Sequence, residues 1–122
     1  MRRGFFFEPT LFDNIDNRSQ IAQEEIFGPV GVVIGFDDDA EAIALANDSK
    51  YGLRAGVISS DTGKAFEMAQ SLIAGQVLIN GGALTSLSDS PFGGLKQSGI
   101  GRENGVEGFL CYTEVRSIEY HA

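Results

Sequence analysis

Two carboxylates, an aromatic ring and a rigid turn stand together at Glu24-Glu25-Ile26-Phe27-Gly28-Pro29. A carboxylate accepts hydrogen bonds through both oxygens and suits a diol, an amide or a proton in transfer. Residues 93–102, Gly-Gly-Leu-Lys-Gln-Ser-Gly-Ile-Gly-Arg, offer a second pattern, that of a phosphate cradle. That pattern is incomplete. A dinucleotide fingerprint needs a strand before it and a helix after it, and here the third glycine, Gly105, falls one position late. Tight turns and close backbone packing account for this segment better. The single cysteine, Cys111, has no activating partner in the pattern and reads as a buried, inert thiol. His121 sits in the tail with no nucleophile beside it. Asp37-Asp38-Asp39 reads as a helix cap and a solvated face, and no metal site is expected.

The elements that would position these residues follow from hydrophobic pattern. Residues 5–12 are aromatic and extended, with Pro9 restricting them to an edge strand or two short ones. Residues 13–17 read as a turn, and 19–25 fit a short helix or a loop. Residues 30–36, Val-Gly-Val-Val-Ile-Gly-Phe, form a continuous β-branched run that suits a strand buried on both faces. Asp38 and Glu41 open a helix that stops near Asn47. Residues 54–59 read as the next strand. Asp61 or Thr62 caps a second helix, and Gly75 reads as its C′ signal. Residues 76–80 form a third strand, 106–110 a short helix, and 112–120 a last strand.

Strand, helix, strand, helix, strand is the order of a parallel α/β sheet with crossover helices. Three strands with two helices cover one face only. The chain therefore reads as part of a larger domain, or as one that buries a face against a partner. Because Glu24 to Pro29 lead into a strand, whereas ligands gather at strand carboxyl ends, topology alone reads that loop as structural.

Composition narrows the function classes. The 122 residues are 43% hydrophobic and 21% charged, the balance of an ordered domain. A net charge of −8 excludes the basic footprint of a nucleic-acid binder. No apolar run approaches the ~20 residues of a membrane span, and the basic-then-apolar N-terminus is cut short by Glu8 and Pro9. One cysteine allows no intrachain disulfide, so a reducing cytoplasm is the expected compartment. Sixteen glycines, six of them from Gly93 to Gly108, mark a local backbone demand.

Taken together, these segments resemble the C-terminal part of the aldehyde dehydrogenase superfamily. The residues that carry the resemblance are Gly4-x-Phe6-x-x-Pro9-Thr10-Leu11, Glu24 to Val30, and Ala46-Asn47-Asp48-Ser49-Lys50-Tyr51-Gly52-Leu53-Arg54-Ala55-Gly56-Val57. They continue in Val77-Leu78-Ile79-Asn80, in the long run from Ser90-Pro91-Phe92-Gly93-Gly94 through Ser98-Gly99-Ile100-Gly101-Arg102-Glu103 to Gly105, and in Tyr112-Thr113-Glu114-Val115.

The resemblance implies an α/β fold: a partial parallel sheet with crossover helices from a catalytic domain over residues 1–111, then an oligomerisation strand over 112–122. The family oxidises aldehydes to carboxylates with NAD or NADP through a cysteine thiolate, a thioester and a glutamate-activated water. By resemblance, Glu25 matches the carboxylate that holds the nicotinamide ribose hydroxyls. Phe27 matches the aromatic beside the nicotinamide, and Leu53 lines the same place. Phe92 matches a wall of the aldehyde tunnel, and the loop at 81–89 helps to set that tunnel. No residue of this chain matches the family's nucleophile or general base, which lie upstream of the matched region, and Cys111 is not the nucleophile. The partners so implied are an aldehyde substrate and either a homo-oligomer or a chain supplying the missing N-terminal part. A non-catalytic oligomerisation or ligand-sensing module on the same fold is the open alternative.

Overall fold

This computed structural model describes residues 3–82 and 88–121 of the chain. The chain divides into two compact units, Met1–Ser49 and Lys50–Ala122.

In the first unit, β1 (Thr10–Asp13) lies parallel to β2 (Val30–Val33), with Thr10 opposite Val30 and Asp13 opposite Val33. Pro9 has no N–H to give a ladder, and β1 starts just after it, with the Thr10 amide donating to the Pro29 carbonyl at 2.8 Å. Between the strands runs α1 (Gln20–Gln23), which resolves the helix-or-loop ambiguity of residues 19–25 as one helical turn. After β2 comes α2 (Asp39–Asn47). Asp38 caps it, accepting from the Glu41 amide at 2.8 Å, while the Glu41 carboxylate accepts from the Asp37 amide at 2.7 Å. The capping box expected from the sequence is therefore formed, with its return bond one residue earlier than the standard pattern.

The second unit holds β3 (Tyr51–Gly52), β4 (Arg54–Val57), α3 (Thr62–Ser71), β5 (Gln76–Ile79), β6 (Leu95–Lys96) and α4 (Gly105–Leu110). β4 and β5 are parallel, joined through α3, and β3 pairs antiparallel with β6. Asp61, not Thr62, caps α3, accepting from the Lys64 amide at 3.0 Å. The helix seats Ala65, fully buried, near the strands, where Val57 is also buried. Among the described residues these are the only hydrophobic side chains below the surface.

Several expectations are corrected. The run at 30–36 is a strand only as far as Val33, and its side chains are half-buried or exposed. Within its own unit its ladder partner is β1. Gly75 is not the C′ residue of α3, which ends at Ser71. Its reason for being glycine is close approach: a Cβ there would overlap the Gly93 carbonyl. Residues 112–120 form no strand in this chain, since no described strand pairs with them. Cys111 is exposed rather than buried, at the end of α4 with its thiol 3.3 Å from the Glu107 carbonyl.

The Gly75 contact separates two kinds of glycine. Gly75→Ala forces backbone apart and is expected to cost about 2–3 kcal/mol or more. Gly35 has nothing within 4 Å of a built Cβ and no positive φ. Gly35→Ala is expected to be neutral or to stabilise by up to about 1 kcal/mol. Denaturant midpoints of the two variants check this; equal losses would show that the Gly75–Gly93 approach is not the constraint.

Candidate functional site

Two open clefts, one in each unit, collect the residues singled out from the sequence. The first has a volume of about 400 Å³ and is lined by Ile21, Glu25, Phe27, Gly28 and Val32 among others. Its edge is built by a sharp change of backbone direction. α1 closes when the Glu24 amide donates to the Gln20 carbonyl at 3.0 Å. Phe27 then takes φ +52°, a left-handed conformation uncommon for a bulky residue. Directly after it, the Val30 amide folds back onto the Gly28 carbonyl at 2.8 Å. The result holds the Phe27 ring almost wholly in solvent, at 92% exposure.

The two adjacent carboxylates differ. Glu24 accepts from the Gln20 side-chain amide at 3.0 Å. Glu25 is exposed and makes no hydrogen bond or ion pair with another described residue. Its two oxygens stand ready to accept, beside an exposed aromatic face. Together they offer hydrogen-bond acceptors and an apolar face.

The second cleft has a volume of about 450 Å³ and is lined by Leu53, Phe92, Arg102, Cys111 and Tyr112 among others. Leu53 and Phe92 thus share a cleft in the second unit, as Glu25 and Phe27 share one in the first. Phe92 is fixed by a two-way bridge to Glu103, with both N–H to carbonyl distances 2.7 Å. The Arg54 guanidinium lies over the Phe92 ring, 5.8 Å from its centre, and so takes one face of it. Residues 83–87, the middle of the tunnel loop expected at 81–89, lie outside the described residues.

Side chains that sequence reasoning passed over hold these clefts in shape. One Arg102 nitrogen donates to the Gly94 and Gly101 carbonyls at 2.9 and 2.7 Å, pinning the glycine-rich segment. The Ser98 hydroxyl accepts from the Gly52 amide at 3.0 Å. Asn80 grips Ser59 through its amide, accepting from the Ser59 N–H at 2.9 Å and donating to its carbonyl at 3.0 Å. This ties together the chain just beyond the carboxyl ends of β4 and β5. Gln23 and Asn17 hold the end of α2. Ser98, Asn80 and Arg102 fall within the runs that carry the resemblance, but the backbone groups they serve are not displayed there; Gln23 and Asn17 lie in none of those runs and read as ordinary polar residues.

Among the described residues, no group of three histidine, cysteine, aspartate or glutamate side chains is placed to hold a metal. No described helix is long and apolar enough to cross a membrane.

Comparison with known proteins bears on both clefts. The sequence profile described as the aldehyde dehydrogenase family matches residues 1–118. A betaine aldehyde dehydrogenase of Brucella melitensis is 47% identical over 116 residues, which are 95% of this chain and 24% of that protein. The crystal structure of betaine aldehyde dehydrogenase from Staphylococcus aureus in complex with NAD+ superposes with a TM-score of 0.82 at 52% identity, covering 88% of this chain and 21% of that one. The aldehyde dehydrogenase of Mycobacterium tuberculosis complexed with NAD+ gives 0.84 at 49% identity, covering 91% and 23%. The α/β strands and crossover helices match that catalytic architecture, and the chain spans about a quarter of its curated relatives' length, as the 24% coverage states. With the profile spanning all but its last residues, the chain belongs to the aldehyde dehydrogenase family.

Proposed function

We propose that this chain supplies the nicotinamide-ribose clamp and part of the aldehyde channel of an NAD(P)-dependent aldehyde dehydrogenase, and that the reacting thiolate and general base come from another part of the assembly. The observation that carries the reading is the edge at Glu25–Phe27: an uncommitted carboxylate and an exposed ring, both presented by a left-handed turn.

The cofactor fits this edge by chemistry. A carboxylate that accepts from no other described residue matches the two donors of a ribose diol, and a flat apolar ring matches a nicotinamide. When bound, NAD or NADP takes up the two electrons released by aldehyde oxidation. The chain's own contribution is orientation. Glu25 anchors the ribose and Phe27 limits where the attached ring can lie; Leu53 is proposed as a further cofactor contact. Phe92, held by Glu103 and covered on one face by Arg54, forms a stiff wall for the aldehyde. Orientation of this kind lowers a barrier by removing freedom before the chemical step.

Cys111 is not the nucleophile in this reading. Its thiol lies at the end of α4, 3.3 Å from the Glu107 carbonyl, and no histidine that could take its proton is among the residues lining that cleft. The segment at 112–122 is proposed to pair with a neighbouring subunit by strand addition, because its Tyr112, Val115, Ile118 and Tyr120 side chains are exposed and its backbone is unpaired in any described sheet. The assembly is then a homo-oligomer, or a complex with a chain carrying the rest of the fold, in a reducing compartment such as the cytoplasm.

Four outcomes are expected. The 122-residue chain alone oxidises no simple aldehyde in an NADH-absorbance assay; turnover abolished by Glu25→Ala would contradict this. Complemented with a chain carrying the rest of the family fold, it supports turnover. In that complex Glu25→Gln raises the KM for NAD about tenfold, as expected for weakened charge-assisted bonds to a diol. Phe92→Ala shifts the KM for the aldehyde and leaves that for NAD within about twofold. A Glu25→Gln enzyme with an unchanged KM for NAD would exclude the clamp.

A further inference from the structure

We infer that Gln23 is a positioning residue for the Glu25 carboxylate, an inference that rests on the ribose-clamp reading of Glu25. Gln23 is the last residue of α1, two positions before Glu25. Its side-chain amide nitrogen donates to the Asn17 carbonyl and to the Asp48 carbonyl, both at 2.7 Å. Asp48 is the C-cap of α2. The Asn17 amide reaches the same helix end, donating to the Leu45 carbonyl at 3.2 Å and the Asp48 carbonyl at 3.3 Å. The last carbonyls of a helix have no partner within it, so these two side chains supply donors that α2 lacks.

The consequence falls on the cleft edge. α1 is one turn long, and so short a helix does not hold its own shape. Its N-cap, Ser19, makes no side-chain capping bond. The end from which the Glu24–Phe27 turn departs is therefore fixed mainly by Gln23, tied to the longer α2 and to the chain before α1. Glu24 is held by Gln20 along the same turn. Glu25 has no such tie of its own, so its direction is inherited from Gln23 and from the left-handed backbone at Phe27. The arrangement leaves the acceptor free for ligand while its backbone is anchored through a neighbour.

The test is a double-mutant cycle on the full chain, titrating NAD and following the Glu25 and Phe27 amides by NMR. Gln23→Met keeps the side-chain length and removes the donor. Gln23→Lys restores a donor. Gln23→Met is expected to weaken the NAD response about tenfold. It is also expected to lose the strong intraresidue HN–Hα cross-peak that the positive φ of Phe27 produces. Gln23→Lys keeps both signals. On a Glu25→Gln background, Gln23→Met weakens NAD no further, because its effect passes through the carboxylate. Equal weakening on both backgrounds would make Gln23 merely structural and overturn the inference, as would an unchanged affinity and cross-peak in Gln23→Met. If Gln23→Met does not fold, Gln23→Asn, whose amide falls one methylene short of both carbonyls, takes its place in the cycle. If the wild-type chain gives no response to NAD at Glu25 and Phe27, the cycle is run on its complex with a chain carrying the rest of the family fold, and no response there fails the clamp reading. The positioning claim is then decided by the cross-peak alone: its loss in Gln23→Met and return in Gln23→Lys support it, and its persistence in Gln23→Met overturns it.

Discussion

A two-stranded parallel sheet with one helix beside it has a face that the helix cannot cover, and both units of this chain carry such a pair. β4 and β5 are packed by α3, which brings Ala65 and Val57 below the surface. β1 and β2 bury no hydrophobic side chain completely. Phe5, Phe6, Phe7, Leu11, Phe36, Ile58 and Phe109 all face solvent. Full burial of such a side chain contributes roughly 1.5–3 kcal/mol, so the chain forgoes a large part of the driving force open to a domain of its length. That surface is what a covering segment of the same family fold would use.

With little core to rely on, local polar devices define the geometry. Asp38 and Asp61 cap the two longer helices. Asn80 joins the chain beyond β4 to that beyond β5, and Gln23 and Asn17 complete the end of α2. Glycines allow backbone to meet backbone, as where Gly75 faces the Gly93 carbonyl. These contacts are short-ranged, and they hold just the two edges where Glu25, Phe27, Leu53 and Phe92 are presented. An assembly in which one segment brings a preshaped edge and another brings reactive groups needs this local stiffness, because the edge must be correct before the second segment arrives.

Much of this architecture was legible in the residues. The β-branched runs at 30–36 and 76–80 marked strands, and Asp38 with Glu41 marked a helix start, because period and capping are local properties. Strand pairing was not legible. β2 pairs with β1, and that choice depends on contacts distant in sequence. The burial of Cys111 was misjudged for a related reason: a thiol between Phe109-Leu110 and Tyr112 reads as core only when something covers it. The run at 112–120 reads as a strand, yet no described strand in the chain pairs with it. In the candidate site, Glu25 and Phe27 were marked by motif. Gln23 and Asn17 were not, and Asn80 and Arg102 fell within motifs that did not display their roles, since an amide or guanidinium that serves the backbone has no sequence signature of its own.

The central claim is that this chain's exposed apolar faces are completed by the rest of an aldehyde dehydrogenase fold. Amide hydrogen exchange, measured on the chain alone and again with a complementing chain, tests it most directly. The account expects protection to rise across β1, β2 and residues 112–121 on complementation, with slower exchange at β4 and β5 already in the isolated chain. Exchange that is equally slow everywhere in the isolated chain and unchanged by the complementing chain would contradict it, and would make this an autonomous module.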